Sequence, residues 1–174
     1  MSLMDLIRSR REITKFNDQN IPDHVLEKVL DAGYYAPAGN NLLSREFIVV
    51  KKREMLDELE KTTPFMEWMS TAQAAIVVTG RPNVSKYWLQ DASIACGFIW
   101  LAATEAGLGL GFGAVYHSED EEEPFIRESY VRKKLNIPGD RKIVAILGLG
   151  YPDEKPKEKK WHNRNEVIFY DSFQ

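Results

Sequence analysis

Arg8, Arg10, Arg11 and Lys15 crowd the first fifteen positions of the chain. Guanidinium forks match phosphate oxygens in bidentate fashion, so this cluster could clasp a phosphorylated ligand. The plainer alternative is the solvated end of a helix. A second candidate is the run Gly107-Leu108-Gly109-Leu110-Gly111-Phe112-Gly113. A dinucleotide-binding fingerprint needs a strand before its glycines and a helix after, so that pyrophosphate meets a helix N-terminus. Here a helical pattern precedes and a strand pattern follows, which rejects that reading. Two readings stay open: a backbone stretch that a flat ligand approaches without Cβ in the way, or a helix stop followed by a bulged strand.

Other chemistries find little support. His24, His117 and His162 are far apart and form no ligand-spaced pair. The run Glu119-Asp120-Glu121-Glu122-Glu123 lacks the glycine turn and alternating ligands of a calcium loop and reads as a solvated acidic loop. No Ser-His-Asp or Cys-His arrangement can be argued. The single cysteine, Cys96, excludes an internal disulfide and a thiolate metal cluster. Its neighbours from Ala92 to Trp100 are mostly apolar and include no basic group, so it reads as a packed small hydrophobe rather than a nucleophile.

These residues must be positioned by elements that the periodicity outlines. Leu3 to Arg10 reads as a short amphipathic helix running into the basic cluster. Pro22 opens a second helix carrying Val25, Leu26, Val29 and Leu30 at helical spacing, with Gly33 as a stop signal and Pro37 as the outer limit. Ala38 to Asn41 is a loop by composition, and Phe47 to Val50 a short buried strand. Arg53 to Lys61 is a charged helix turning Met55, Leu56 and Leu59 inward, and Ala74 to Thr79 is another apolar strand. Tyr87 to Ala106 is the longest helix, apolar on most faces, which implies burial by more than one layer. Leu110 to Tyr116 is a glycine-broken strand, Ile126 to Leu135 a helix, and Ile143 to Leu149 a strand. Irregular mixing of helix and strand predicts an α+β fold with a central sheet covered by helices.

At 174 residues with 44% hydrophobic content, the chain can bury a proper core as one domain. A formal charge of -3 gives no global pull toward nucleic acid or anionic membrane. No apolar run is long enough to cross a bilayer and nothing reads as a signal peptide, so a cytoplasmic location is expected. The segment after Pro152 is polar and lysine-rich, yet Trp161, Val167, Ile168, Phe169, Tyr170 and Phe173 are too apolar for a free tail. An arm laid on a second subunit is the better reading. Phe65, Trp68 and Phe112 are expected to pack in the core rather than to shape a pocket.

Four segments in order resemble the nitroreductase family and span nearly the whole chain. Arg10-Arg11-Glu12-Ile13-Thr14-Lys15-Phe16 is similar to the family's Arg-Arg-Ser-x-Arg-x-Phe, and Ala36-Pro37-Ala38-Gly39-Asn40-Asn41-Leu42-Leu43-Ser44 to its Ala-Pro-Ser-x-x-Asn-x-Gln-Pro. Asp91 with the long alanine-rich helix, running into Glu105-Ala106-Gly107-Leu108-Gly109 and Val115-Tyr116, is the third. Leu147-Gly148-Leu149-Gly150-Tyr151-Pro152 before a lysine-rich stretch is the fourth. The resemblance implies an α+β fold with a mixed, mainly antiparallel sheet, a single domain over 1–174, and a homodimer with residues 153–174 extending onto the partner. It also implies bound FMN, with NAD(P)H as reductant and a small electron-poor acceptor, a nitroaromatic or a quinone.

On this resemblance Arg10 holds the FMN phosphate and Arg11 contributes mainly backbone. Pro37, Ala38, Gly39 and Asn41 come from the other subunit to line the ring and ribityl chain. Gly113 and Ala114 pass along the ring edge, and Lys157, Lys159 or Lys160 completes the phosphate site. Glu12 and Thr14 occupy the flavin-contacting segment as departures, replacing the family's Ser and its second basic residue. Glu12 is therefore expected to point away or to pair with Arg11, because a carboxylate beside a phosphate is unfavourable. Leu43-Ser44 replaces Gln-Pro and removes polar contacts to the flavin. The chain matches the family's shorter branch, which implies a more open substrate pocket. No side-chain acid or base is named as catalytic. Two other outcomes stay open within the resemblance: a flavin protein with different chemistry, such as dehalogenation or flavin fragmentation, and a non-catalytic dimer that binds a ligand or partner. An unrelated α+β binding module is the reading outside it.

Overall fold

A computed structural model of the chain describes residues 2–117 and 122–173. Ala74 to Gly80 forms strand β2, an uninterrupted apolar and β-branched run buried along its full length. Such a run suits a strand covered on both faces, and it lies at the centre of the sheet with β1 (Arg45–Val50) on one side and β4 (Lys142–Gly150) on the other. β3 (Gly109–Ala114) closes the far edge, giving the order β1-β2-β4-β3. All three ladders are antiparallel. The only parallel element among the described residues is an isolated bridge between Glu12 and Leu110.

Alternation along β2 and β4 divides the core in two. Ile76, Val78 and Leu147 face α2 (Asp23–Tyr34) and α4 (Trp88–Glu105), meeting Leu26, Val29, Ala92 and Ile99. Ala75, Val77, Ile143 and Ile146 face the other way, toward Leu56 and Leu59 of α3 (Arg53–Glu60) and Val131 of α5 (Glu122–Leu135). The fold is α+β, with helices on both faces of an antiparallel sheet. No helix among the described residues is long and apolar enough to cross a membrane.

The helices follow their sequence signals closely. α1 (Leu3–Ser9) starts at Ser2, whose hydroxyl accepts the Asp5 N–H while the Asp5 carboxylate accepts the Ser2 N–H, a reciprocal capping box. Pro22 stands one position earlier than expected, as the N-cap of α2, and the helix runs one residue past Gly33. β1 is longer than expected by Arg45 and Glu46, and only Val50 of it is fully buried in the single chain. α5 begins at Glu122, four residues before the expected Ile126, so Glu122 and Glu123 of the acidic run are helical. Glu119, Asp120 and Glu121 lie outside the described residues. Two short 3-10 turns, Glu67–Thr71 and Arg164–Glu166, were not foreseen.

Residues 153–173 are exposed throughout, with Trp161, Tyr170 and Phe173 at 62%, 78% and 88%. Phe169 and Phe173 touch one another at a ring separation of 4.3 Å.

Candidate flavin site

The basic cluster is built by a helix end and two distant segments. α1 stops at Arg10, whose backbone leaves helical geometry while its N–H still reaches the Leu6 carbonyl at 2.9 Å. The chain then runs extended beside β3: the Ile13 N–H donates to the Leu110 carbonyl at 3.1 Å. On its other side it meets the segment after β4, through Asn17 N–H to Tyr151 and Asp153 N–H to Lys15. This places Lys157 at the basic cluster, where its carbonyl accepts from Nε of Arg11 at 3.2 Å.

The Arg10 guanidinium is half-buried and lies 4.4 Å from the centroid of the Trp100 ring. A cation held over an indole face keeps its outward N–H groups for another acceptor. Trp100 is itself fixed, stacked on Phe112 at 6.0 Å and 16° and donating from its indole nitrogen to the Arg11 carbonyl at 3.3 Å. The Arg11 guanidinium is committed to the carbonyls of Arg8, Arg10 and Lys157. Glu12 does not pair with Arg11. Its carboxylate accepts the Phe112 N–H of β3 at 3.1 Å, so it points along the strand and ties the arginine segment to it. Thr14 follows, half-buried. Lys159 lies over the Trp161 ring at 4.5 Å, and Lys160 is exposed.

The second group is the loop 37–41, anchored to the first turn of α4. Pro37 and Asn41 are exposed, Ala38 and Gly39 half-buried, and Gly39–Asn41 forms a 3-10 turn. Asn40 and Asn41 both take left-handed backbone angles, φ 54° and 55°. The Gly39 N–H donates to Asp91 at 2.8 Å, and the Gly39 Cα lies so near Tyr87 that a Cβ would come within 2.6 Å of its ring. Upstream, one guanidinium nitrogen of Arg45 donates to the carbonyls of Gly33, Tyr34 and Ala36. Asp91 and Trp100 are nine residues apart on α4, an axial offset of roughly 13 Å at the helical rise. The structure therefore brings Arg10, Arg11, Glu12 and Lys157 together and holds the 37–41 loop at a separate point of the same helix.

The third group lies on β3. Gly109, Gly111 and Gly113 face the same side, and a Cβ on each would come within 2.7 Å of Ile13, Trp68 and Met66 respectively. The strand has glycine at alternate positions because bulky side chains lie flat against it, a packing reason that neither sequence reading anticipated. A helix precedes these glycines and a strand contains them, as expected. Ala114 is exposed, and its carbonyl accepts from Arg127 of α5 at 3.0 Å. Trp68 and Phe112 pack as expected, whereas Phe65 stands 78% exposed and belongs to the surface beside Met66. Cys96 is buried in the α4 face, and burial pushes its thiol up to about 12, which removes the thiolate a nucleophile requires.

The donor set fits a phosphorylated flat ligand. Half-buried Arg10, with the backbone of Lys157 beside its neighbour, offers bidentate donors, and the glycine-bearing strand and turn offer backbone at close range. Arg45 and Trp100 were missed in sequence, and Asp91 and Ser44 were read only as positions of the family pattern, without their contact to one another. An acidic residue in the first turn of an otherwise apolar helix was the signal available for Asp91.

Known proteins give the same answer. The family model described as "Nitroreductase family" matches residues 7–75 and 60–151. A protein of Archaeoglobus fulgidus named as a putative NADH dehydrogenase/NAD(P)H nitroreductase is 38% identical over 157 residues, covering 87% of each chain. An iodotyrosine deiodinase of Thermotoga neapolitana is 27% identical over 98% of each. The solved structure of an FMN-dependent nitroreductase from Clostridium difficile superposes with a TM-score of 0.86 at 29% identity, over 98% of this chain and 99% of that one. On the strength of these matches and of the arginine, loop and glycine-strand segments placed above, the chain belongs to the nitroreductase family.

Proposed function

We propose that the chain is an FMN-dependent oxidoreductase that takes reducing equivalents from NAD(P)H and passes them to a small electron-poor acceptor, a nitroaromatic or quinone. It acts as one domain over 1–174 within a homodimer. The observation that carries this reading is the Arg10 guanidinium stacked on Trp100 with its outward donors available, beside Arg11, which ties the distant Lys157 segment to the same cluster. Membership of the family and likeness to a structure titled as FMN-dependent support the cofactor.

Bound flavin would supply the redox chemistry, accepting hydride from the reductant and releasing it to the acceptor in ping-pong order. The protein's own groups bind and orient. Arg10 would hold the phosphate by a bidentate contact, with Lys157, Lys159 or Lys160 adding positive charge. Pro37, Ala38, Gly39 and Asn41 would line the ring and ribityl chain of the partner's site, and Gly113 and Ala114 the ring edge. The dimer is supported by apolar groups that a single chain leaves in water: Ile7 on α1, Ile94 and Phe98 on α4, and Trp161, Val167 and Phe173 in the tail. The tail would lie on the second subunit, and a cytoplasmic location agrees with the lone buried thiol.

The test is a spectrum. Protein purified with FMN should show bound-flavin absorbance and oxidise NAD(P)H in the presence of a quinone. A protein that stays colourless at saturating FMN overturns the proposal. The deiodinase relative favours one second reading, reductive removal of halogen at the same flavin site. Halide release from a halogenated phenol, with no turnover of nitroaromatic or quinone, would select it.

A further inference from the structure

We infer that Asp91 and Ser44 are the positioning pair of the flavin loop, a buried carboxylate–hydroxyl contact that holds residues 37–41 in their binding shape. This rests on the proposed flavin reading and adds two residues to it. Asp91 is 3% exposed, and its two oxygens serve two points of one loop. One accepts the Gly39 N–H at 2.8 Å and the other the Ser44 hydroxyl at 2.5 Å. Ser44 is fully buried, and its carbonyl accepts the Arg81 N–H at 2.7 Å, so the downstream end of the loop is pinned to the chain beyond β2.

Between these anchors the backbone passes through Asn40 and Asn41 in consecutive left-handed conformations. Side-chain-bearing residues adopt that shape at an energetic cost and keep it only where surrounding contacts over-determine it. Asp91 supplies those contacts from the rigid first turn of α4. A carboxylate taken out of water depends on its hydrogen bonds, so removing one donor leaves an oxygen unpaired and the loop free to relax. At sequence level Leu43-Ser44 reads as a loss, because the family pattern has Gln-Pro there. In the structure the serine supplies a hydroxyl that a proline lacks, and the carboxylate uses it.

Titration of free FMN by fluorescence quenching, with hydrogen exchange over residues 37–43 in the flavin-free protein, tests the pair. Ser44→Ala should raise the FMN Kd about tenfold, the effect of one charge-assisted hydrogen bond. Asp91→Ala should raise it at least as much, and the double variant no further than Asp91→Ala alone, because the two groups act as one unit. Asp91→Asn retains an acceptor for Gly39 and a donor for the Ser44 oxygen, and should stay within about threefold of wild type. Leu56→Ala, in the core beneath α3, should lower the melting temperature without moving the Kd. Should Asp91→Ala fail to fold, Ser44→Ala and Asp91→Asn decide the matter. The inference is overturned if Ser44→Ala binds FMN like wild type, or if Leu56→Ala loses affinity as Ser44→Ala does. A wild-type protein that binds no FMN counts against the proposed function instead. Exchange over 37–43 then judges the pair, which fails if Ser44→Ala exchanges no faster than wild type.

Discussion

Arg10 and Arg11 are neighbours in sequence and differ in everything the structure asks of them. Arg10 rests on Trp100 with its outward donors available, while Arg11 spends its guanidinium on three backbone carbonyls. Arg10→Ala should therefore weaken FMN binding by roughly ten- to a hundredfold, the range for a charge-assisted contact to phosphate. Arg10→Lys should recover only part of it, because an ammonium keeps the charge and loses the fork. Equilibrium titration of both variants checks this, and equal affinities for Arg10→Ala and wild type would remove the phosphate role. The contrast between the two arginines was only partly legible in sequence. The motif singled out both, but the partner that frees one lies 90 residues away and the carbonyl that occupies the other 146. Glu12 shows the same limit. Charge repulsion suggested that it points away or pairs with Arg11; the pairing is not made, and the fold brings it the amide of Phe112, which sequence did not foresee.

At the scale of elements, α3 and α5 are joined by an ionic clasp outside the flavin region. Glu58 accepts from Lys134, from Lys61 at 2.8 Å and from the Tyr130 hydroxyl at 3.0 Å. The hydrogen bonds from Lys134, Lys61 and Tyr130, in that order, hold its carboxyl down from 4.5 to about 2. A carboxyl depressed in the folded state stabilises above its unfolded pKa and stops doing so as pH falls through the folded one. Wild type should thus exceed Glu58→Gln in melting temperature by a constant margin above about pH 5, and the margin should shrink between 4.5 and 2. Added salt should narrow it at neutral pH, since the cluster is partly open to solvent. A margin independent of pH would exclude the carboxylate as its source. Elements themselves were well read from sequence, because helical and alternating periodicity are local properties. β2 and α4 come within a residue of expectation. The turn at Glu67–Thr71 was not read, since its purpose, laying Trp68 against Gly111 of β3 and Gly148 of β4, is a tertiary one.

For the whole molecule, the face formed by α1 and α4 is where the proposed dimer would pack. Ile7 of α1 and Ile94 and Phe98 of α4 stand 38–43% exposed in one chain, while the opposite side of α4 is core. Phe98→Glu should leave the fold intact, as the side chain already meets solvent there, and should shift light-scattering mass toward one subunit at micromolar concentration. FMN affinity should fall with it if the loop of one subunit serves the other's flavin. A Phe98→Glu protein that remains dimeric would place the interface elsewhere. The proposal of a second chain was drawn in sequence from an all-round apolar helix and an aromatic-bearing tail, and in the single chain that tail and one side of α4 are exposed.

The bond from Arg11 to the Lys157 carbonyl joins the end of α1 to the segment that follows β4. The core around β2 and β4 includes neither residue, so this tie can be released without opening the sheet. A backbone cut between Pro152 and Lys157 should therefore leave the protein folded at its centre and, on the proposed reading, weaken its hold on FMN.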